Sequence, residues 1–249
     1  MTDNAQRKLA FDRIRDNIAR KGHHVYLVSG GPAPRFAYTI GLSETLGTEL
    51  ILAGACFYLN DEAGSIVDEI ALELKSRAPS VRPTFETNSY GSFTLGKVHT
   101  TWVTTLMLGA LDFYQVADIS ALQIVPDEAH RTIDVPNLAE PWSMASAPAW
   151  KWLYEPWTYP VPPNSVAVSN LGALRGDRIS EAMRWEEDEW ELFAGAGPNV
   201  PKDELRVVSL GTLLGVDMSL VPVVNLPIGT GLWRDTVSEW HPWRTRGRA

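Results

Sequence analysis

The sequence predicts an α+β protein made of two α+β domains with mainly antiparallel sheets, joined by a strap rich in tryptophan and proline. Three observations carry this. Apolar residues recur at helical spacing in some stretches and alternate with period two in others. The runs "HHVYLVS" and "RFAYTIGL", separated by Gly30-Gly31-Pro32-Ala33-Pro34, read as a hairpin with a longer loop. Between Pro141 and Pro163 six prolines interleave with Trp142, Trp150, Trp152, Tyr154, Trp157 and Tyr159. A free linker would be polar, so a strap this aromatic is expected to pack against a domain. The expected domains are 1–140 and 164–249, with the strap at 141–163.

The elements follow in order. Asp3 reads as an N-cap, Phe11, Ile14 and Ile18 fall at helical spacing, and Gly22 stops this first helix. After the hairpin a third strand is expected from Leu50 to Leu59. Asn60 or Asp61 then caps a helix whose face is marked by Ile66, Ile70 and Leu74 and whose end is set by Pro79. Strands are expected near Ser92 to Leu95 and at Lys97 to Leu108, a short helix around Leu111 to Val116, and a strand at Ala121 to Val125. In the second half "SVAVSN" reads as a strand, Ile179 to Met183 as a helix turn and "WELFAG" as a strand. Ser209 to Gly215 reads as a helix opened by a serine cap, and "VPVVNLPIG" as an extended segment.

Composition limits the function. At 249 residues, with 45% hydrophobic and 21% charged residues, the chain can bury a core without staples. A net charge of -8 argues against nonspecific binding to nucleic acid or an anionic membrane, since both need clustered Lys and Arg. Only the tail, with Arg244, Arg246 and Arg248, is locally basic. A single cysteine, Cys56, excludes an intrachain disulfide and a multi-cysteine metal site, and its apolar setting reads as a buried small hydrophobe. No apolar leader or membrane-length run occurs, so the cytoplasm is the expected location. Five histidines, His23, His24, His99, His130 and His241, include no HxxxH or HExxH pair, and no GxGxxG, P-loop or GxSxG is present. No cofactor and no metal are expected.

In "FAYTIGL" the side chains of Phe36, Tyr38, Ile40 and Leu42 share one face and Ala37, Thr39 and Gly41 the other. The large face is expected to be core. The hairpin register pairs Ser29 with Arg35 or with Phe36; in the second case His24 stands opposite Gly41, Tyr26 opposite Thr39 and Val28 opposite Ala37. Bulky side chains would then nest on the small face. The functional alternative is an enzyme or small-molecule binder in which His24, Tyr26, Thr39 and Asp127 converge on a pocket, with Gly41 admitting a ligand to the backbone. Glu44 and Glu49 are expected to be solvated.

"GHHV" at 22–25, "FAYTIGL", "ELIL" at 49–52 and "ALQIVPDEAHR" at 121–131 resemble, in order and spacing, domain-of-unknown-function family 4262 over residues 5–140. In that family the last element reads "QLVWPD"; here Val125 precedes Pro126 and Asp127. The resemblance implies a fold and no established activity.

In "RWEEDEWELFAGAGP", Glu186, Glu187, Asp188, Glu189 and Glu191 lie between and beside Trp185 and Trp190. One reading is a solvated loop. The other is an acidic surface, Trp185 to Trp190, that meets a basic partner protein such as a toxin, charge speeding encounter and tryptophan supplying the anchor. "VAVSN", "DEWELFAG" and "VVSLGTLLGVDMSLVPVVNLPIGTGLWR" are similar to domain-of-unknown-function family 2185 over residues 165–237, some members of which resemble immunity proteins. The expected function is therefore a binding protein of immunity type.

Overall fold

The computed structural model describes residues 2–76, 84–87, 89–235 and 239–243, with side chains from residue 5 onward. Pro79 and the tail arginines Arg244, Arg246 and Arg248 lie outside the described residues. The chain is α+β and divides into two compact units: 1–29, 35–130 and 135–142, and 30–34, 131–134 and 143–249. Each unit holds a six-stranded mixed sheet in which one neighbouring pair is parallel and the rest are antiparallel.

The first unit opens with helix α1 (Thr2–Lys21), so Asp3 sits inside the helix rather than at its cap. Gly22 ends it at φ +78°. Strands β1 (His24–Val28) and β2 (Phe36–Ile40) pair with Tyr26 opposite Tyr38 and Val25 opposite Thr39. This is the register that continues to Ser29 and Arg35, and it corrects the one that set Tyr26 opposite Thr39. It lets Tyr26 stack on Tyr38 at 5.5 Å and leaves the small face of β2 to other elements.

A short helix α2 (Ser43–Leu46), strand β3 (Glu49–Ala53) and helix α3 (Asn60–Ser76) follow. The strand expected to reach Leu59 stops at Ala53 because Gly54 and Ala55 take positive φ. Ala63, Ile66, Val67, Ile70 and Ala71 repeat at i, i+3, i+4, i+7, i+8 and bury the face of α3. They pack in one core with Ala37 from the small face of β2 and with Leu50, Leu52, Phe85, Phe93 and Ile124.

Beyond α3 come β4 (Thr84–Thr87), β5 (Gly91–Lys97), α4 (Thr100–Leu106), α5 (Leu108–Tyr114) and β6 (Ala121–Pro126). The sheet order is β1-β2-β3-β6-β5-β4. The segment Lys97 to Leu108, expected as a strand, is mostly helical. Its threonines and valine favour strands, but His99 caps the first turn by accepting from Thr101 N, and the hydroxyls of Thr104 and Thr105 donate to the carbonyls of Thr100 and Thr101. Trp102, Val103, Leu106 and Met107 make the buried stripe that decides between the two.

The small face of β2 also holds a buried acid. Glu49, expected to be solvated, is fully buried. Its carboxyl group accepts from Thr39 Oγ1 (2.5 Å), Gly41 N (3.0 Å), Ser43 N (2.9 Å), Tyr114 OH (2.5 Å) and, at 3.4 Å, Leu42 N. Thr39 Oγ1 in turn accepts from Leu50 N at 2.8 Å. Donors surround it on every side, which suits a carboxylate. Gly41 has φ +117°, and a Cβ there would lie 2.8 Å from Ile18 and 3.1 Å from the His23 backbone, so glycine is required on two grounds.

The second unit contains β7 (Val166–Asn170), α6 (Leu171–Leu174), β8 (Glu181–Arg184), β9 (Glu189–Phe193), β10 (Leu205–Ser209), α7 (Leu210–Val216), α8 (Val221–Val224), β11 (Thr230–Trp233) and β12 (His241–Pro242). The order is β10-β7-β9-β8-β11-β12. The residues expected as a helix turn, Ile179 to Met183, instead supply β8, held between β9 and β11. "VPVVNLPIG", expected to be extended, begins as α8, where burial of Val223 and Val224 outweighs valine's strand preference. Ser209 caps α7 as expected, its hydroxyl oxygen accepting from Thr212 N at 3.1 Å.

From residue 143 onward the strap belongs to this unit, while Pro141 and Trp142 belong to the first. The strap's 3-10 helix Pro148–Leu153 packs on α7, where a Cβ at Gly215 would lie 2.5 Å from the Pro148 carbonyl. Trp150, Trp152 and Trp157 donate their indole N–H groups to the carbonyls of Asp134, Gly211 and Val161.

Two expectations follow. Replacing Glu49 by Gln keeps the volume but sets an amide against converging donors, and urea unfolding should show a loss of about 3 kcal/mol; a loss within about 0.5 kcal/mol, the range of an ordinary surface change, would contradict the role given to this side chain. The second concerns His23, which is fully buried with Nε2 3.0 Å from Asp68 Oδ1 and Nδ1 3.1 Å from Lys75 Nζ. Burial lowers its pKa and Lys75 lowers it further, against the opposing pull of Asp68. A depressed folded pKa means that the unfolded chain takes the proton more readily, so this contribution is full above about pH 6.5 and is lost on acidification. The urea midpoint should fall more steeply from about pH 7.5 to about pH 5.5 in the wild type than in His23→Gln.

Candidate functional site

The β8–β9 hairpin carries the acidic stretch at its turn. Trp185, Glu186, Glu187 and Glu189 are exposed, and Asp188 is half-buried. Arg184 holds this turn by its backbone: Nε donates to Glu186 O (3.1 Å), Nη2 to Glu187 O (2.7 Å) and Nη1 to Leu226 O (2.9 Å). Among the described residues no hydrogen bond or ion pair engages the side chains of Glu186, Glu187, Asp188 or Glu189. The charge stays available to a partner while the loop is held in one shape.

The two tryptophans of the stretch differ. Trp185 is 48% exposed. Trp190, expected as a second anchor, is buried: it lies in β9 under the Arg184 guanidinium (4.7 Å from the ring) with its indole N–H 3.4 Å from Val223 O. The alternation of the strand explains the correction, since Glu189 and Glu191 lie on the face opposite to Trp190.

Trp185 forms part of a groove of about 470 Å³ with Met183, Glu191, Phe193, Leu205 and Trp243 among its lining residues. A second hollow of about 330 Å³, lined by Trp233, Arg234 and others, shares Glu181 and Trp243 with the first. The indole N–H groups separate nine of the ten tryptophans of the described residues. Those of Trp102, Trp150, Trp152, Trp157, Trp190 and Trp240 donate to backbone carbonyls. Those of Trp185, Trp233 and Trp243 have no partner among the described residues, and these three rings are 48%, 44% and 45% exposed around the same paired hollows. Exposed indoles grouped at a concave face make this the candidate interaction surface of the unit.

The pocket expected in the first unit does not assemble. Thr39 is buried with its hydroxyl engaged by Glu49 and Leu50, and it faces away from Tyr26 and His24, because directly opposed residues share a face and Thr39 is opposed by Val25. His24 pairs with the Asn17 amide at 2.8 Å, and burial followed by nearby Arg13 lowers its pKa. Asp127 follows β6, three strands from β1.

Asp127 instead meets His130, a pairing that the search for HxxxH and HExxH spacings does not reveal. Its Oδ1 is 2.6 Å from His130 Nδ1, and its Oδ2 accepts from Ser92 N (2.9 Å) and Ser92 Oγ (3.1 Å). Burial alone would raise the Asp127 pKa, but the Ser92 and His130 hydrogen bonds hold it at about 2. The imidazole stacks on Tyr58 at 5.9 Å, meets Phe57 edge-on at 4.7 Å and leaves no room for a side chain at Gly91. Such an arrangement fixes the ring with Nδ1 turned to the carboxylate, and Nε2 has no hydrogen bond among the described residues. The spacing Asp-x-x-His across a 3-10 turn was the available signal.

Comparison with known proteins bears on the first unit. Residues 17–132 match the family described as a domain of unknown function, DUF4262. The matched span runs from the end of α1 to just past His130 and includes the Glu49 cluster and the Asp127–His130 pair. No curated protein and no solved structure matches the chain. The family match does not extend into residues 165–237, and no comparison supports the expected likeness of that region to family 2185.

The two tryptophans of the hairpin should behave differently on truncation. Trp190→Ala should cost about 3 to 5 kcal/mol in urea unfolding, whereas Trp185→Ala should stay within about 0.5 kcal/mol of the wild type. Equal losses would place Trp185 in the core and remove it from the candidate surface.

Proposed function

We propose that the chain is a binding protein whose second unit covers a basic surface on a partner protein. The observation that carries this reading is the fixed acidic turn beside exposed Trp185 and its groove, with carboxyl groups that no described residue neutralises. Uncompensated charge on an ordered loop raises the rate of encounter with a positive surface. Exposed indoles at the adjoining groove supply the area that an anchor needs. An immunity protein that occludes the basic face of a toxin is one instance of this mode of action. The cytoplasm is the compartment we propose for it.

The reading supports a specific result. The triple charge reversal Glu186→Lys, Glu187→Lys and Glu189→Lys should slow association with a protein captured by the wild type by about tenfold or more at low salt, and the difference should shrink as salt is raised. Dissociation should change less. Equal association rates for wild type and variant, measured by surface plasmon resonance at low salt, would remove the hypothesis.

A further inference from the structure

We infer that the groove receives an arginine side chain of the partner, its guanidinium lying between Trp185 and Trp243 and against Glu191, with apolar neighbours of that arginine on Met183 and Leu205. The inference rests on the reading that the acidic hairpin face docks a basic protein, and it names the group that is recognised. Exposed tryptophan rings attract a cation through their π faces, and the indoles of Trp185 and Trp243 are both unbonded among the described residues and exposed. The carboxyl groups of the groove differ in availability. Glu181 already accepts from Gly197 N at 2.7 Å, while the Glu191 side chain has no hydrogen bond or ion pair among the described residues. Two glutamates against one lysine, Lys202, line the hollow, and the acidic turn adjoins it, so the charge complementarity favours a cationic occupant over an anionic one.

Guanidinium is favoured over ammonium because it is planar, weakly hydrated and able to stack while its edge bonds a carboxylate. The unit pairs indoles with both cations internally, the guanidinium of Arg184 at 4.7 Å from Trp190, that of Arg234 at 4.2 Å from Trp240 and the ammonium of Lys151 at 4.4 Å from Trp152, so the preference for arginine rests on its planar, carboxylate-matching edge. Aliphatic and aromatic lining beyond the carboxyl group leaves room for apolar flanking residues in a groove of about 470 Å³.

The test uses the full chain and three peptides, N-acetyl-Leu-Arg-Leu amide and its counterparts with lysine or with uncharged citrulline at the centre. Indole N–H signals would be followed by NMR and assigned with Trp185→Phe and Trp243→Phe. The arginine peptide should shift the Trp185 and Trp243 signals saturably, the citrulline peptide should bind about tenfold more weakly, and the lysine peptide should fall between them. Glu191→Gln should bring the arginine peptide down to the citrulline level, and Trp185→Leu, at an exposed position, should weaken all three. Equal binding of arginine and citrulline peptides, unchanged binding in Glu191→Gln, or no saturable shift would overturn the inference. If it fails while hairpin charge reversal still slows partner association, the docking reading stands without an arginine anchor. If peptide binding holds while charge reversal leaves association unchanged, the groove is an arginine site and the acidic turn is not the docking surface.

Discussion

The first unit depends on the burial of one acidic side chain. Glu49 opens β3, yet its carboxyl group is enclosed by donors from the Gly41–Ser43 turn, from Thr39 in β2 and from Tyr114 at the end of α5. Taking a carboxylate out of water costs several kcal/mol, and removing even one of its partners leaves that cost uncovered. The turn is thereby held in the single conformation that presents its N–H groups to the acid. The left-handed φ of Gly41 is part of that conformation, and Ile18 of α1 fills the space beside it. Tyr114 is drawn in as well: burial and the hydrogen bond to Glu49 raise its pKa, which keeps the phenol protonated and donating. Two strands, a turn and two helices are fixed to one another through a single residue.

Elements whose signal is local were legible. The stripe of α3, the two hairpin strands and the Ser209 cap depend on neighbours within a few residues, and they appear where the pattern puts them. Glu49 was not legible, because its meaning depends on Tyr114, 65 residues away, and on a turn whose N–H directions no composition reveals. The hairpin register failed for a related reason: both candidate pairings put apolar side chains on each face, and the choice was made by Tyr26 stacking on Tyr38 and by α3 covering Ala37. Lys97 to Leu108 was misread because threonine and valine favour strands in isolation, whereas hydroxyl bonds to earlier carbonyls and a buried apolar stripe favour the helix here.

In the candidate site the sequence revealed the acidic turn and missed the division of labour within it. Charge and aromatic content mark the stretch, but strand alternation decides that Trp185 is exposed and Trp190 is core. Trp233 and Trp243 come to the same face from a distant part of the chain, through the pairing of β11 with β8 and β12. The sequence showed a high tryptophan count without separating its causes. Trp150, Trp152 and Trp157 of the strap hold the unit together by donating to carbonyls, whereas Trp185, Trp233 and Trp243 at the groove make no indole hydrogen bond among the described residues.

Arg184 joins these two roles. An arginine beside four acidic side chains would ordinarily pair with one of them and reduce the local field. Here its guanidinium is occupied by three backbone carbonyls and by the face of Trp190, so it orders the turn without forming an ion pair with its carboxylates. Ordering in advance lowers the entropy that a binding partner would otherwise have to remove. A solvated loop would need no such brace, since its charges are satisfied by water in any conformation. The half-buried Arg184 brace stabilises the turn in its own right, and the docking role proposed for the hairpin draws on the same pre-formed shape.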